Sequence, residues 1–111
     1  STVAVSQGMA FHASIAAAKG AVEGLTKSLA AEFAPTIRVN CIAPSLTNTS
    51  LAAKILSSPE KVQAAEQRHP LKTIGNANDL ASMAIFLLSD EAKWISGQII
   101  HVDGGMSTLR V

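Results

Sequence analysis

The sequence predicts an α/β fold: a layer of three parallel strands joined by crossover helices, in a single domain spanning residues 1–111. Two observations carry this expectation. Apolar residues recur at three- and four-residue steps over Ala13–Phe33 and again over Leu80–Leu88, the period of an amphipathic helix. Short apolar runs at Val3–Val5, Ile37–Ile42 and Gln98–Val102 have the length of buried strands. Strand and helix therefore alternate, a pattern met by parallel strands with right-handed crossovers.

Taken in order, Val3, Ala4 and Val5 read as a buried strand broken at Gly8. The long helix follows, with Ile15, Ala18, Val22, Leu25, Leu29 and Phe33 as its apolar stripe and Glu23 and Lys27 as an i,i+4 pair outside it. Pro35 stops the helix, because it lacks an amide proton and pushes its predecessor out of helical geometry. The strand Ile37–Ile42 is then closed by Pro44, and Ser45–Ser50 is a polar loop. Leu51–Arg68 reads as one or two short helices interrupted at Ser57, Ser58 and Pro59, where Ser58 can cap and Pro59 can take the first helical position. Asn76, with Asp79 three residues on, has the spacing of a capping box and opens a helix over Ala77–Leu88. Trp94 and Ile95 are expected to pack against that helix, and Asp103-Gly104-Gly105 is a turn after the last strand.

A first strand that starts at residue 1 leaves an edge without a ladder partner. An upstream part of the same protein, a second copy of the chain or a shielding rearrangement would each supply one.

Composition narrows the function classes. With 48% apolar and 15% charged residues, the 111-residue chain is that of a protein with a buried core. A net charge of +1 without blocks of like charge argues against nucleic acid or an acidic membrane as partner. No apolar stretch approaches the roughly 20 residues of a bilayer span. Cys41, the single cysteine, has no internal disulfide partner and sits in an apolar run, which suits a reducing, cytoplasmic compartment. His69 and His101 show no metal-ligand spacing with Cys41 or with carboxylates, so no metal site is expected.

Three segments, in order, resemble the short-chain dehydrogenases/reductases. Residues 16–30, Ala-Ala-Ala-Lys-Gly-Ala-Val-Glu-Gly-Leu-Thr-Lys-Ser-Leu-Ala, resemble the active-site helix of that family. Ile37-Arg38-Val39-Asn40-Cys41-Ile42-Ala43-Pro44 resembles the next strand and its proline exit. Ser89-Asp90, Ile95-Ser96-Gly97 and Val102-Asp103-Gly104-Gly105 resemble the C-terminal signature. The resemblance implies a partial Rossmann-like, doubly wound layer that lacks the N-terminal half of its sheet. It also implies an oxidoreductase acting on a carbonyl or alcohol with NAD or NADP.

In that family the glycine-rich phosphate loop lies in the N-terminal half, and no GxGxxG-like element occurs here. The chain alone is therefore expected to bind a dinucleotide weakly or not at all, and to be inactive without its N-terminal half.

The family also places a tyrosine four residues before the helix lysine, on the same helix face, so that the ammonium lowers the phenol pKa and binds the nicotinamide ribose. Lys19 occupies the lysine position, Ile15 stands at the tyrosine position, and the chain contains no tyrosine. His12, three residues before Ile15, offers an alternative acid/base group, or is simply a polar residue at the helix start. Lys19 itself reads either as the ribose-binding residue or as a solvated helix lysine.

The catalytic hydroxyl maps to Thr2, beside Ser1, unless this is only a frayed strand end. After Pro44, Ser45 replaces the family's glycine, Thr49 keeps its cofactor-contacting threonine, and the main chain of Leu46 and Thr47 would face the nicotinamide. The alternative is a polar loop with a helix cap. Without tyrosine or phosphate loop, the competing function is a truncated, non-catalytic pseudoenzyme that self-associates as a homo-oligomer through its long helix and exposed strand edge.

Overall fold

The computed structural model describes residues 1–111. Helix α1 (Ala13–Phe33) leads to strand β1 (Cys41–Pro44) and the short strand β2 (Thr47–Asn48). Helix α2 (Pro59–Arg68), strand β3 (Gly75–Asn76), helix α3 (Ala77–Leu88) and strand β4 (Ile99–Val102) follow. All pairing is parallel: β1 with β4, in the register Cys41↔Ile99 to Pro44↔Val102, and β2 with β3, in the register Thr47↔Gly75 and Asn48↔Asn76. The α/β class and partial doubly wound character stand, with four parallel strands in two two-stranded sheets instead of three in one layer.

The difference begins at the N-terminus. Val3–Val5 is not a strand but a 3₁₀ turn, closed by Val5 N–H to Thr2 O (3.2 Å) and Ser6 N–H to Val3 O (3.1 Å). Only Ser1 reaches the sheet, its amino nitrogen donating to Ile42 O at 2.8 Å. With no longer ladder to join, the backbone donors of this segment bond locally, while Val3 and Ala4 stay buried.

Helix α1 has the expected bounds but not the expected packed face. Thr26 and Ala30 are its buried residues, with Ala16, Gly20 and Glu23 half-buried on the same side, while Val22, Leu25 and Phe33 of the apolar stripe remain exposed. Small side chains set this contact. Gly20 faces Val5, whose Cγ1 lies 3.8 Å from a Cβ built on the glycine, and Gly97 approaches the Ala30 methyl in the same way at 3.5 Å.

The capping signals are realised. The Asn76 side chain accepts from the Asn78 and Asp79 amides, and the Asp79 carboxylate accepts from the Asn76 amide at 2.8 Å. Ser58 caps α2 with Pro59 in its first turn.

Arg38 and Asn40 tie β1 to the segment that precedes β4. The guanidinium donates to the carbonyls of Ser89 (3.2 Å) and Ile95 (3.4 Å), and Asn40 donates to Ile95 O at 2.9 Å and accepts from the Gln98 amide at 3.1 Å. Within the segment so held, Ala92 is buried and Trp94 faces outward. The indole is 97% exposed, contrary to the expectation that it packs on the last helix.

Candidate functional site

The Pro44–Thr49 loop leaves the carboxyl end of β1, where Pro44 lies opposite Val102 at the carboxyl end of β4. In open α/β sheets this end is where ligands bind. Its three hydroxyls are each held. Ser45 Oγ lies 2.8 Å from His69 Nε2, Thr47 Oγ1 donates to Ser45 O at 3.1 Å, and Thr49 Oγ1 donates to Thr47 O at 3.5 Å. Leu46 O accepts from the Gly75 amide at 3.1 Å, which joins the loop to the start of β3. Beside the loop is a cavity of about 260 Å³ whose polar lining includes Ser45, His69, Asp79 and Asp103.

Lys19 lies in the second turn of α1, half-buried, and enters no salt bridge, since the chain's one ion pair joins His101 and Asp103. His12 stands at the N-cap of α1, and positions 12, 15 and 19 fall on one helix face. Seven residues of helical rise separate His12 from Lys19 by about 10 Å along the axis. His12 Nδ1 meets Ala10 O at 2.7 Å. A carbonyl only accepts, so Nδ1 carries a proton and Nε2 is left available for exchange. Ile15 is 40% exposed between them.

The segment Ser1–Val5 runs beside α1. Ser1 Oγ donates to Glu23 Oε1 at 2.5 Å, and Val5 lies against Gly20, so Thr2 sits between the levels of Glu23 and Gly20. The Ser1 hydroxyl is thereby committed to Glu23. Thr2 is half-buried and its side chain makes no capping bond.

Two residues of this region were not singled out by the sequence. His69 is 4% exposed and bonds on both ring nitrogens, to Ser45 and, through Nδ1, to Ala65 O at 2.8 Å. Its signal was the i,i+4 spacing from Ala65 at the end of α2, together with a hydroxyl where glycine is expected at position 45. Asp103 accepts from the Gly105 and Ser107 amides at 2.9 Å each, and the turn is completed by positive φ at Gly104 (62°) and Gly105 (86°). Burial works to raise the Asp103 pKa. The hydrogen bonds from Ser107 and Gly105, with the nearby His101, outweigh it and hold the carboxyl below its ordinary value.

A half-buried helix lysine and a loop of backbone groups and hydroxyls are donors of the kind that the nicotinamide and ribose end of a dinucleotide would take. They do not fit its pyrophosphate. No glycine-rich turn opens any of the three α-helices. No group of three or more His, Cys, Asp or Glu side chains is assembled as a metal site, and no helix is long and apolar enough to cross a membrane.

Residues 1–107 match the family model described as enoyl-(acyl carrier protein) reductase. Short-chain dehydrogenase/reductase SDRA of Arabidopsis thaliana is 43% identical over 88 residues, 79% of this chain and 35% of that protein. Ligand-free aldohexose dehydrogenase of Thermoplasma acidophilum superposes with a TM-score of 0.92 at 34% identity, covering 99% of this chain and 47% of the solved one. A 4-hydroxyisoleucine dehydrogenase complexed with NADH gives a TM-score of 0.91 at 32% identity, covering 99% and 46%. The chain thus spans about a third of the length of the curated relative and under half of these solved chains.

Proposed function

The chain belongs to the short-chain dehydrogenase/reductase family, and from that footing we propose that it is the C-terminal part of an NAD(P)-dependent oxidoreductase acting on a carbonyl or alcohol, inactive until joined to a dinucleotide-binding half. The observation that carries this reading is the Lys19 helix packed against β1, with the Pro44–Thr49 loop leaving the carboxyl end of that strand, in a fold shared with an NADH-bound dehydrogenase.

The exposed surface supports the need for a second half. A compact monomer of 11.5 kDa exposes about 5,800 Å², whereas this chain exposes 7497 Å² and buries 11 of its 111 residues, none with a large side chain fully enclosed. The excess is of the order that a stable protein contact covers. Either the upstream half of the protein or a second copy of the chain would occupy it. The buried free thiol of Cys41 suits a reducing cytoplasm.

In the assembled enzyme the nicotinamide supplies or takes the hydride. Lys19 holds the ribose, the backbone of Leu46 and Thr47 faces the nicotinamide, and Pro44, Ser45 and Thr49 shape the loop around it. His12 Nε2 handles the proton that Ile15 cannot, and Thr2, about 12 Å or more further along α1, donates a hydrogen bond to a different polar group of the substrate.

The test joins this chain behind the N-terminal portion of a curated relative and follows NADH and NADPH oxidation with a panel of carbonyl compounds. Turnover that is lost on Lys19→Ala supports the assignment. No turnover with either cofactor, or turnover indifferent to Lys19→Ala, overturns it.

A second reading, a non-catalytic module that self-associates, is favoured by Val22, Leu25 and Phe33, large apolar side chains that stay 39–56% exposed on α1. Sedimentation of the 111-residue chain decides it: a strict monomer at high concentration counts against the module.

A further inference from the structure

A second and larger cleft, of about 640 Å³, opens between the segment after Val5, the end of α2 and the residues after β4. Its side-chain charge is one-sided, with the α-carboxylate of Val111 at the rim as the one anionic group. Arg68, Lys72 and Arg110 line it, no Asp or Glu side chain does, and none of the three cations enters a salt bridge. Gln7, Gln67 and Ser107 add neutral hydrogen-bonding groups around them.

The walls of this cleft are tied to one another and to the site already described. The Gln7 side-chain amide donates to Met106 O, the Leu71 amide donates to Gly104 O at 3.2 Å, and the Ser107 amide donates to the Asp103 carboxylate at 2.9 Å. Pro70, on the cleft wall, directly follows His69, which holds Ser45 in the neighbouring cavity. Lys72 has a left-handed backbone (φ 55°) that a lysine adopts at a cost, and the turn holding it is closed by its amide to His69 O at 2.9 Å. Its ammonium donates to Gln67 O at 3.0 Å, which leaves two further N–H groups free.

Three unpaired cations around one concavity repel each other unless an anion joins them, and an anion gains charge-assisted hydrogen bonds from all three. We propose that this cleft binds the anionic group of the substrate, so that the substrate class is a carbonyl or alcohol compound bearing a carboxylate or phosphate. The reading of the chain as part of an oxidoreductase underlies the word substrate. The anion site itself does not depend on it, since binding requires neither cofactor nor turnover.

The experiment titrates the isotopically labelled 111-residue chain, amidated at Val111 so that no terminal carboxylate competes, with succinate, with inorganic phosphate and with neutral succinamide at constant ionic strength, following backbone amide shifts. Saturable shifts confined to Gln7, Gln67–Lys72 and Ser107–Arg110 are expected with succinate, phosphate or both, and none with succinamide. The tighter of the two anions names the group. Arg68→Gln and Lys72→Gln, both exposed and tolerable to the fold, should each weaken binding by roughly tenfold. Failure of both anions to saturate, equal shifts with succinamide, or affinity unchanged in both variants overturns the proposal. If these anions bind while the joined enzyme shows no turnover with any carbonyl compound, the oxidoreductase reading fails and the anion site stands.

Discussion

The Ser45 hydroxyl and the His69 imidazole meet at 2.8 Å across the base of the candidate site, and the far side of the ring is fixed by the Ala65 carbonyl, also at 2.8 Å. That carbonyl can only accept, so the proton sits on Nδ1 and the hydroxyl donates to Nε2. The tautomer is set by the helix, and the loop is set by the tautomer.

Ser45→Ala should strand Nε2 in a ring that is 4% exposed. A buried acceptor left without its donor costs about 1–3 kcal/mol. His69→Ala should cost more, roughly 2–5 kcal/mol, because it also opens a cavity. Urea denaturation followed by far-ultraviolet circular dichroism checks both. Trp94 is too exposed to report the transition by fluorescence. Equal stability of Ser45→Ala and the parent chain would show that the pair does not anchor the loop.

The two caps offer a graded comparison. Asn76 and Asp79 satisfy amides in both directions, whereas Ser58 accepts once, from Lys61 N–H at a long 3.4 Å. Asn76→Ala should therefore destabilise by about 1–2 kcal/mol and Ser58→Ala by about 0.5 kcal/mol. Melting temperatures in the reverse order would contradict this ranking.

Asp103 gives the fold a pH dependence whose sign follows from its depressed pKa. The folded chain holds this carboxyl below 3.8, its value in the unfolded chain, because the donors from Ser107 and Gly105 outweigh its burial. Its contribution is therefore fully present above the unfolded value and is lost as pH falls through the folded one. The difference in unfolding free energy between the parent and Asp103→Asn should be constant from pH 7 to about pH 5 and shrink below pH 4. A gap that stays constant down to pH 2 would mean that this carboxylate carries no such linkage.

What the sequence revealed, and what it concealed, follows from how local each determinant is. The bounds of α1, the cap at Asn76 and the break at Ser58-Pro59 are written in residues within one turn of each other, and the structure reproduces them. Which face of α1 packs is not local. It depends on what lies opposite, and Gly20, Thr26 and Ala30 win over Val22 and Leu25 because the neighbouring backbone approaches closely there. The run Val3–Val5 has strand composition but no ladder to join, and periodicity over three residues cannot separate the two outcomes. The outward direction of Trp94 is likewise not local: the segment that carries it is held at Ser89 and Ile95 by Arg38, more than fifty residues away in sequence. Around the candidate site, the helix that carries Lys19 and the strand that ends at Pro44 could be placed from the sequence. His69 was not, because its only marks are an i,i+4 step from Ala65 and a hydroxyl 24 positions earlier, and neither alone points to a histidine in the site.

The last prediction concerns the missing phenol. Ile15 lies between His12 and Lys19 on one face of α1 and is 40% exposed, so Ile15→Tyr adds a phenol one turn from the ammonium without disturbing a packed core. In the chain joined to a dinucleotide-binding half, the phenol would gain acidity from Lys19 and take over proton transfer, a role worth roughly 10²–10⁴-fold in rate. If His12 now performs that role, His12→Ala should lower kcat by a comparable factor in the Ile15 background and have little effect once Ile15→Tyr is present. The double variant isolates proton transfer from folding, because a merely structural loss at His12 would persist with the tyrosine in place. Initial rates of the four combinations decide the matter. Activity indifferent to His12→Ala in both backgrounds would remove His12 from the mechanism, and an Ile15→Tyr variant no faster than the parent would show that Lys19 is not positioned to assist a phenol.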